Sequence, residues 1–213
     1  MTETRGQTGA PGATRKTRSD GVRSRASILQ AAAQLATVEG IDGLSIGRLA
    51  ETVGMSKSGL YAHFGSKQEL QLATIDAAEE LFDAHVVEPA THSGAGLARL
   101  RALTENYLRY VEARVFVGGC FFAALVAEVD AREGPVRERA AQFMVDWMQR
   151  LTSAIRDAQA AGEIRSSEDP DQLAFELEAL LLLANAQFVL ANDPAPIERA
   201  RVASARRLAA AAS

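Results

Sequence analysis

The chain has a single cysteine, few aromatic residues and no apolar run of membrane-spanning length. Cys120 cannot form an intrachain disulfide, so nothing in the sequence points to an oxidising compartment. The longest apolar stretch, residues 177–191, is shorter than the roughly 20 residues that a span needs, and Glu178, Asn185 and Gln187 interrupt it. The basic residues near the N-terminus are not followed by the apolar segment of a secretory signal. These features predict a cytoplasmic protein with no membrane partner.

The sequence also lacks the motifs of common catalytic sites. It contains no Gly-x-Ser-x-Gly elbow, P-loop, His-Glu-x-x-His motif or pair of cysteines. His85 and His92 flank Pro89 without the clustered ligands that a metal ion needs. We therefore expect no enzymatic activity, no metal site and no cofactor.

Charge is divided unevenly along the chain, although the formal net charge is only -4. Residues 1–75 carry nine Lys or Arg against six Asp or Glu, and the remainder carries 14 against 21. This division favours a first part that faces a polyanion. It is equally compatible with a basic tail that only raises solubility.

Hydrophobic spacing predicts an all-α fold, because apolar residues recur at helical intervals and no segment alternates as a strand does. Residues 1–20 lack large apolar side chains and are expected to form a disordered basic tail. A helix-turn-helix domain is expected over 21–68, and a larger helical bundle for ligand binding and dimerisation over 69–213. The nine expected helices lie at about 24–39, 46–53, 57–64, 66–87, 97–114, 120–130, 135–161, 170–192 and 197–211.

Residues 44–63 have the dimensions of a helix-turn-helix, with two short helices joined by Gly54, Met55 and Ser56. The second helix of this motif enters the major groove of DNA, where base edges are exposed. Its predicted outward positions can donate hydrogen bonds or touch a thymine methyl group. These positions are Ser56, Lys57, Ser58, Tyr61, Ala62 and His63. Lys67 begins the next helix, where a phosphate is favoured by the helix dipole. Similar shapes also occur in ordinary helical bundles.

Residues 28–72 resemble the N-terminal domain of the TetR family of bacterial transcriptional regulators. The resemblance rests on three segments and on Gly40 between the first two. The segments are Ile28-Leu29-Gln30-Ala31-Ala32, Leu44-Ser45-Ile46-Gly47-Arg48-Leu49-Ala50 and Val53 to Phe64, which ends in Gly-Leu-Tyr-Ala-His-Phe. Ser66-Lys67-Gln68-Glu69-Leu70 follows directly and completes the pattern. The remainder of the chain is similar to the family in layout.

The resemblance implies a ligand-responsive repressor that binds double-stranded operator DNA as a homodimer. Ser45 would then face a phosphate, Lys67 would hold the backbone, and Leu60 and Phe64 would belong to the core. The other expected DNA contacts are Ser56, Lys57, Ser58, Tyr61 and His63. Many relatives carry a larger residue where this chain has Ala62, so base contact there is expected to be weaker.

The resemblance also implies that the helices at about 170–192 and 197–211 form the dimer interface. The expected effector is an apolar or weakly polar small molecule, because the bundle has few buried charges. Aromatic residues that could line its pocket or simply form the core are Tyr107, Tyr110, Phe116, Phe122, Phe143, Trp147 and Phe188.

Two alternatives remain open from the sequence. The basic residues at 15–25 could follow phosphates into a neighbouring groove or remain a solvated tail. The whole protein could also be a helical ligand-binding or adaptor module without DNA binding.

Overall fold

A computed structural model describes residues 13–213 of the chain, with side chains from residue 25 onward. Those residues form helices and connecting turns, with no strand and one isolated bridge between Ile164 and Ala212. The helices are α1 (Ala13–Glu39), α2 (Ile46–Val53), α3 (Lys57–Phe64), α4 (Lys67–Phe82), α5 (Glu88–Thr91), α6 (Gly96–Glu112), α7 (Phe121–Val129), α8 (Pro135–Ala160), α9 (Pro170–Ala191) and α10 (Ala195–Ala211). A π-helical turn, Asp83–Val87, joins α4 to α5 without a break. When α4, the π-helical turn and α5 are counted as one continuous helix, called the rod below, the described residues form nine helices. The predicted all-α fold with nine helices is thereby confirmed.

Most helix ends lie where capping residues place them. Asp169 begins α9 by accepting hydrogen bonds from the backbone N–H groups of Asp171 and Gln172. Proline occupies the first turn of α8 and of α9, where its missing N–H costs nothing. Asn192 ends α9 in the left-handed conformation that it tolerates better than most residues.

The first helix begins at Ala13, well before the expected start near residue 24. The expected disordered segment 1–20 is therefore corrected for residues 13–20, while residues 1–12 lie outside the described part. Extending an existing helix needs no new nucleation, and this segment contains several good helix formers and no proline.

The rod of α4 and α5 runs past Pro89, although the fourth helix was expected to end near residue 87. Proline has no N–H to donate to the carbonyl four residues earlier. The π turn immediately before it uses a wider spacing, in which the Glu88 N–H donates to the Asp83 carbonyl. The rod thus continues to Thr91.

Helices α4 to α10 form the larger body, and α1, α2 and α3 form the head against the start of α4. Within the body α8 packs on α6, α7 and α9, and α10 packs on α9 and α6. Helix α9 is long and apolar enough to cross a membrane by composition alone, yet 44% of its most apolar window is buried by the protein. It carries buried Glu178 and Asn185, which suits a core helix of a helical bundle.

Candidate DNA-binding site

Helices α2 and α3 are held by serine caps at their first turns. The Ser45 hydroxyl accepts the Arg48 N–H at 3.2 Å, and the Ser56 hydroxyl accepts the Gly59 N–H at 3.1 Å. Gly54 ends α2 at φ +68°, a left-handed conformation that glycine adopts without a steric cost. This conformation turns the chain directly into α3, so the predicted helix-turn-helix is formed.

Helix α3 has one buried face and one exposed face. Leu60 and Phe64 lie in the core, as predicted, one helical turn apart. The opposite face exposes Lys57, Ser58, Tyr61 and Ala62. The ring of Tyr61 is 58% exposed, which is unusual for a large aromatic side chain that serves only packing.

The other expected DNA contacts are already engaged with protein groups. His63 is only partly exposed, at the edge of this face, and its ring lies 6.1 Å from that of Phe64. The Lys67 ammonium group donates to the Asp42 carbonyl at 2.7 Å and so bridges α4 to the loop before α2. Ser45 and Ser56 use their oxygens as acceptors in the caps, which leaves the Ser45 hydroxyl hydrogen available to a phosphate, whereas the Ser56 hydroxyl also shares a hydrogen bond with that of Ser58 at 3.3 Å.

Sequence reasoning missed the contact between Arg25 and α3. The guanidinium group donates to the His63 carbonyl at 3.0 Å and lies 4.7 Å from the centre of the Phe64 ring. Arg25 therefore ties α1 to the C-terminal end of α3. The other basic residues proposed for an N-terminal arm lie outside the described side chains.

The head also contacts the body through paths other than α4. The Glu128 carboxylate of α7 accepts the backbone N–H groups of Ile41 and Asp42, at 2.7 and 2.9 Å. Gln34 of α1 donates to the Val115 carbonyl at 2.7 Å and accepts the Val117 N–H at 3.0 Å. The loop between α6 and α7 is thereby fixed to α1.

An aromatic cluster fills the centre of the body. Phe82, the last residue of α4, has its ring centre within 6.3 Å of five other rings. These belong to Tyr107, Tyr110, Phe122, Phe143 and Trp147. Beside the cluster a nearly closed cavity of about 10 Å³ is lined by Tyr107, Phe122, Phe143 and Trp147 among others. Phe116 and Phe188 are buried but do not line it.

One buried carboxyl group faces this cavity from α9. Glu178 accepts the Trp147 indole N–H at 2.6 Å, and burial raises the pKa of its carboxyl group above the usual value. Nearby, the hydroxyl groups of Tyr107 and Tyr110 are buried without a hydrogen-bond partner, and the weakly bonding thiol of Cys120 lies beside both. Burial raises the pKa of both phenols well above their usual value, so both stay protonated.

Comparison with known proteins agrees with this arrangement. Residues 28–74 match the family model described as bacterial regulatory proteins, tetR family. Residues 96–204, just over half of the chain, match the model described as Tetracyclin repressor-like, C-terminal domain. The chain belongs to the TetR family of transcriptional regulators. The resemblance that the sequence suggested is thereby confirmed.

Individual relatives place the chain among DNA-binding regulators. The transcriptional regulator AcuR of Cereibacter sphaeroides is 29% identical over 150 residues, which cover 70% of this chain and 68% of AcuR. A TetR transcriptional regulator from Chloroflexus aurantiacus superposes with a TM-score of 0.80 at 26% identity, covering 91% of this chain and 98% of that one. AibR, solved with isovaleryl coenzyme A and operator DNA, superposes with a TM-score of 0.65 at 25% identity over 80% of this chain and 88% of its own.

Proposed function

We propose that this TetR-family regulator is a homodimeric repressor that leaves a palindromic operator when a small molecule binds. The observation that carries the proposal is the exposed face of α3, a capped helix of a size that fits the major groove. This face exposes Lys57, Ser58, Tyr61 and Ala62. Ser45, Ser56, His63 and Lys67 flank this face and would contact the sugar-phosphate strands. The protein would act in the cytoplasm, at the nucleoid when bound to DNA.

Dimerisation is supported by an apolar face that a single chain leaves uncovered. Phe175, Leu183 and Leu190 of α9 are exposed, with Leu190 at 90%. Val202 is exposed on α10, the helix that packs on α9. Large apolar side chains repeated along one helix are rare on a free surface. A two-fold pairing through α9 and α10 would cover them and would set two α3 helices about 34–36 Å apart, or a multiple of that, on DNA.

Effector control is supported by the position of Phe82. This residue ends α4, whose other end carries the head, and it also forms the centre of the aromatic cluster. A molecule inserted among these rings would displace Phe82 and with it the helix that positions α3. Release by a factor of 100 requires about 2.7 kcal/mol of coupling between the two sites. AibR, solved with both an acyl coenzyme A and operator DNA, shows that a relative binds both kinds of partner.

Selection from a random double-stranded DNA library at physiological salt tests the proposal. The purified dimer should enrich a palindrome, and its affinity should fall with salt at a log–log slope of about -0.9 per phosphate neutralised. Failure of a folded dimer to enrich any sequence would instead favour a ligand-binding module without DNA binding.

A further inference from the structure

Glu178 is a buried acid without a basic partner among residues 25–213, whose side chains the structure describes. Its side chain sits inside the body on α9, and its one polar contact in the structure is the neutral indole N–H of Trp147. None of the ten residues that line the adjoining cavity is Lys, Arg or His. An isolated charge is costly to remove from water, so a buried carboxyl group without a cation retains its proton, and a cation that enters beside it would hold it ionised.

The groups around Glu178 are those that attract a cation. Phe82, Tyr107 and Trp147 are among the residues that line the cavity, and the face of an aromatic ring carries partial negative charge that attracts ammonium groups. The hydroxyl oxygen of Tyr107, which lines the cavity and has no hydrogen-bond partner, can accept a hydrogen bond from an N–H donor. An anion would meet no positive charge here and would lie next to a carboxyl group.

We infer that this cluster is a binding site for small organic ammonium ions, with Glu178 as the counter-charge and the aromatic rings as the walls. The inference rests on the proposed control by a small molecule and gives that effector a chemical class. It departs from the sequence expectation of an apolar or weakly polar effector, because the inferred molecule joins an apolar body to one positive charge.

The cavity, at about 10 Å³, has room for no more than about one water molecule, so the rings must move apart when an organic ion enters. Phe122 and Phe143 lie nearly parallel, at 5°, with ring centres 3.3 Å apart. Phe122 stands in the first turn of α7, whose C-terminal end carries Glu128, the acceptor for the N–H groups of the loop before α2. Separation of the two rings would thus move two of the connections to the head, those through α4 and α7.

Trp147 makes the inference directly measurable, because it is the only tryptophan of the chain and lies in the cluster. Its fluorescence in the full-length protein would be titrated with n-butylammonium and 2-phenylethylammonium. Each amine would be compared with the alcohol and the carboxylate of the same carbon skeleton. The expected result is that at least one amine binds about tenfold or more tightly than its alcohol and its carboxylate.

Charge removal at one position provides the variant test. Glu178→Gln keeps an acceptor for the Trp147 indole, and it should reduce the preference for the amine over the alcohol to within about threefold. Glu80→Gln, an exposed position on α4, is the matched control and should keep the wild-type preference. If Glu178→Gln does not fold, the three-way comparison in the wild-type protein still decides the question.

Tighter binding of the carboxylates, equal binding of all three classes, or no fluorescence change with any amine would overturn the inference. Operator release is recorded separately, in a DNA-binding assay with the same probes. An amine that binds at Glu178 without releasing DNA would leave the site intact and contradict the proposed repressor mechanism. DNA binding with no amine binding would contradict the site alone.

Discussion

The side chains of α3 divide into those that hold the helix and those that remain open to a partner. Leu60 and Phe64 are buried, whereas Lys57 and Tyr61 are exposed on the other side. Lys67, expected as a phosphate contact, already bonds the Asp42 carbonyl. Lys67→Ala would therefore change the head as well as DNA contact, and the exposed pair gives the clearer test.

Lys57→Ala and Tyr61→Ala should each weaken operator binding by about tenfold or more, because each removes a contact worth about 1–3 kcal/mol. Lys57→Ala should also reduce the magnitude of the salt slope by about one phosphate. Fluorescence anisotropy with labelled operator measures both quantities. Arg101→Ala, which removes an exposed positive charge from α6, is the control and should leave affinity nearly unchanged.

Glu178 should make stability depend on pH. Burial raises the pKa of its carboxyl group in the folded state, so the folded chain binds a proton that the unfolded chain has released. The contribution of this group therefore falls as pH rises from the unfolded value through the raised folded value. Urea unfolding at about pH 5 and about pH 8 should show Glu178→Gln gaining stability relative to wild type at the higher pH. The same difference at both pH values would contradict a burial effect.

Helix ends were predictable because their signals are local. Ser45, Ser56 and Ser66 cap three helices as expected, each accepting an N–H three residues later. The π turn was not predicted, because it is only five residues long. So short a segment shows no repeat of apolar residues that would distinguish its wider spacing from that of an α-helix. The partners of Glu128 and Glu178 lie 87 and 31 residues away, so only the folded chain brings them together. Glu178 and Asn185 were visible as polar residues in an apolar helix, but their roles were not.

The contact of α1 with the loop between α6 and α7 should be sensitive to a single methyl group. A Cβ at Gly118 would collide with the backbone carbonyl of Thr37, which cannot move without displacing α1. Gly118→Ala should therefore lower the free energy of unfolding by about 1–3 kcal/mol, as overpacking typically does.

Gly54→Ala is the matched comparison for that variant. A Cβ at this position meets no atom within 4 Å, so only the left-handed φ of +68° opposes it. It should cost about 1 kcal/mol. Chemical denaturation of both variants measures the difference, and a Gly118→Ala variant as stable as wild type would show that this contact is loose.

The two-fold assembly depends on the exposed face of α9. Leu183→Glu should yield a folded monomer, because it places a charge where two copies would bury apolar side chains. Sedimentation would report the mass and circular dichroism the helix content. Val117→Glu, which alters an exposed valine between α6 and α7, should remain dimeric. A dimeric Leu183→Glu protein would move the interface elsewhere.

The proposed repression depends on two α3 helices that read one DNA site together. The decisive measurement is the affinity of the wild-type dimer for the selected palindrome, for one half-site and for scrambled DNA of equal length. We expect two chains per palindrome and an affinity at least about 1,000-fold above that for scrambled DNA, with the affinity for the half-site between these two values. Equal affinity for the palindrome and for scrambled DNA would contradict it.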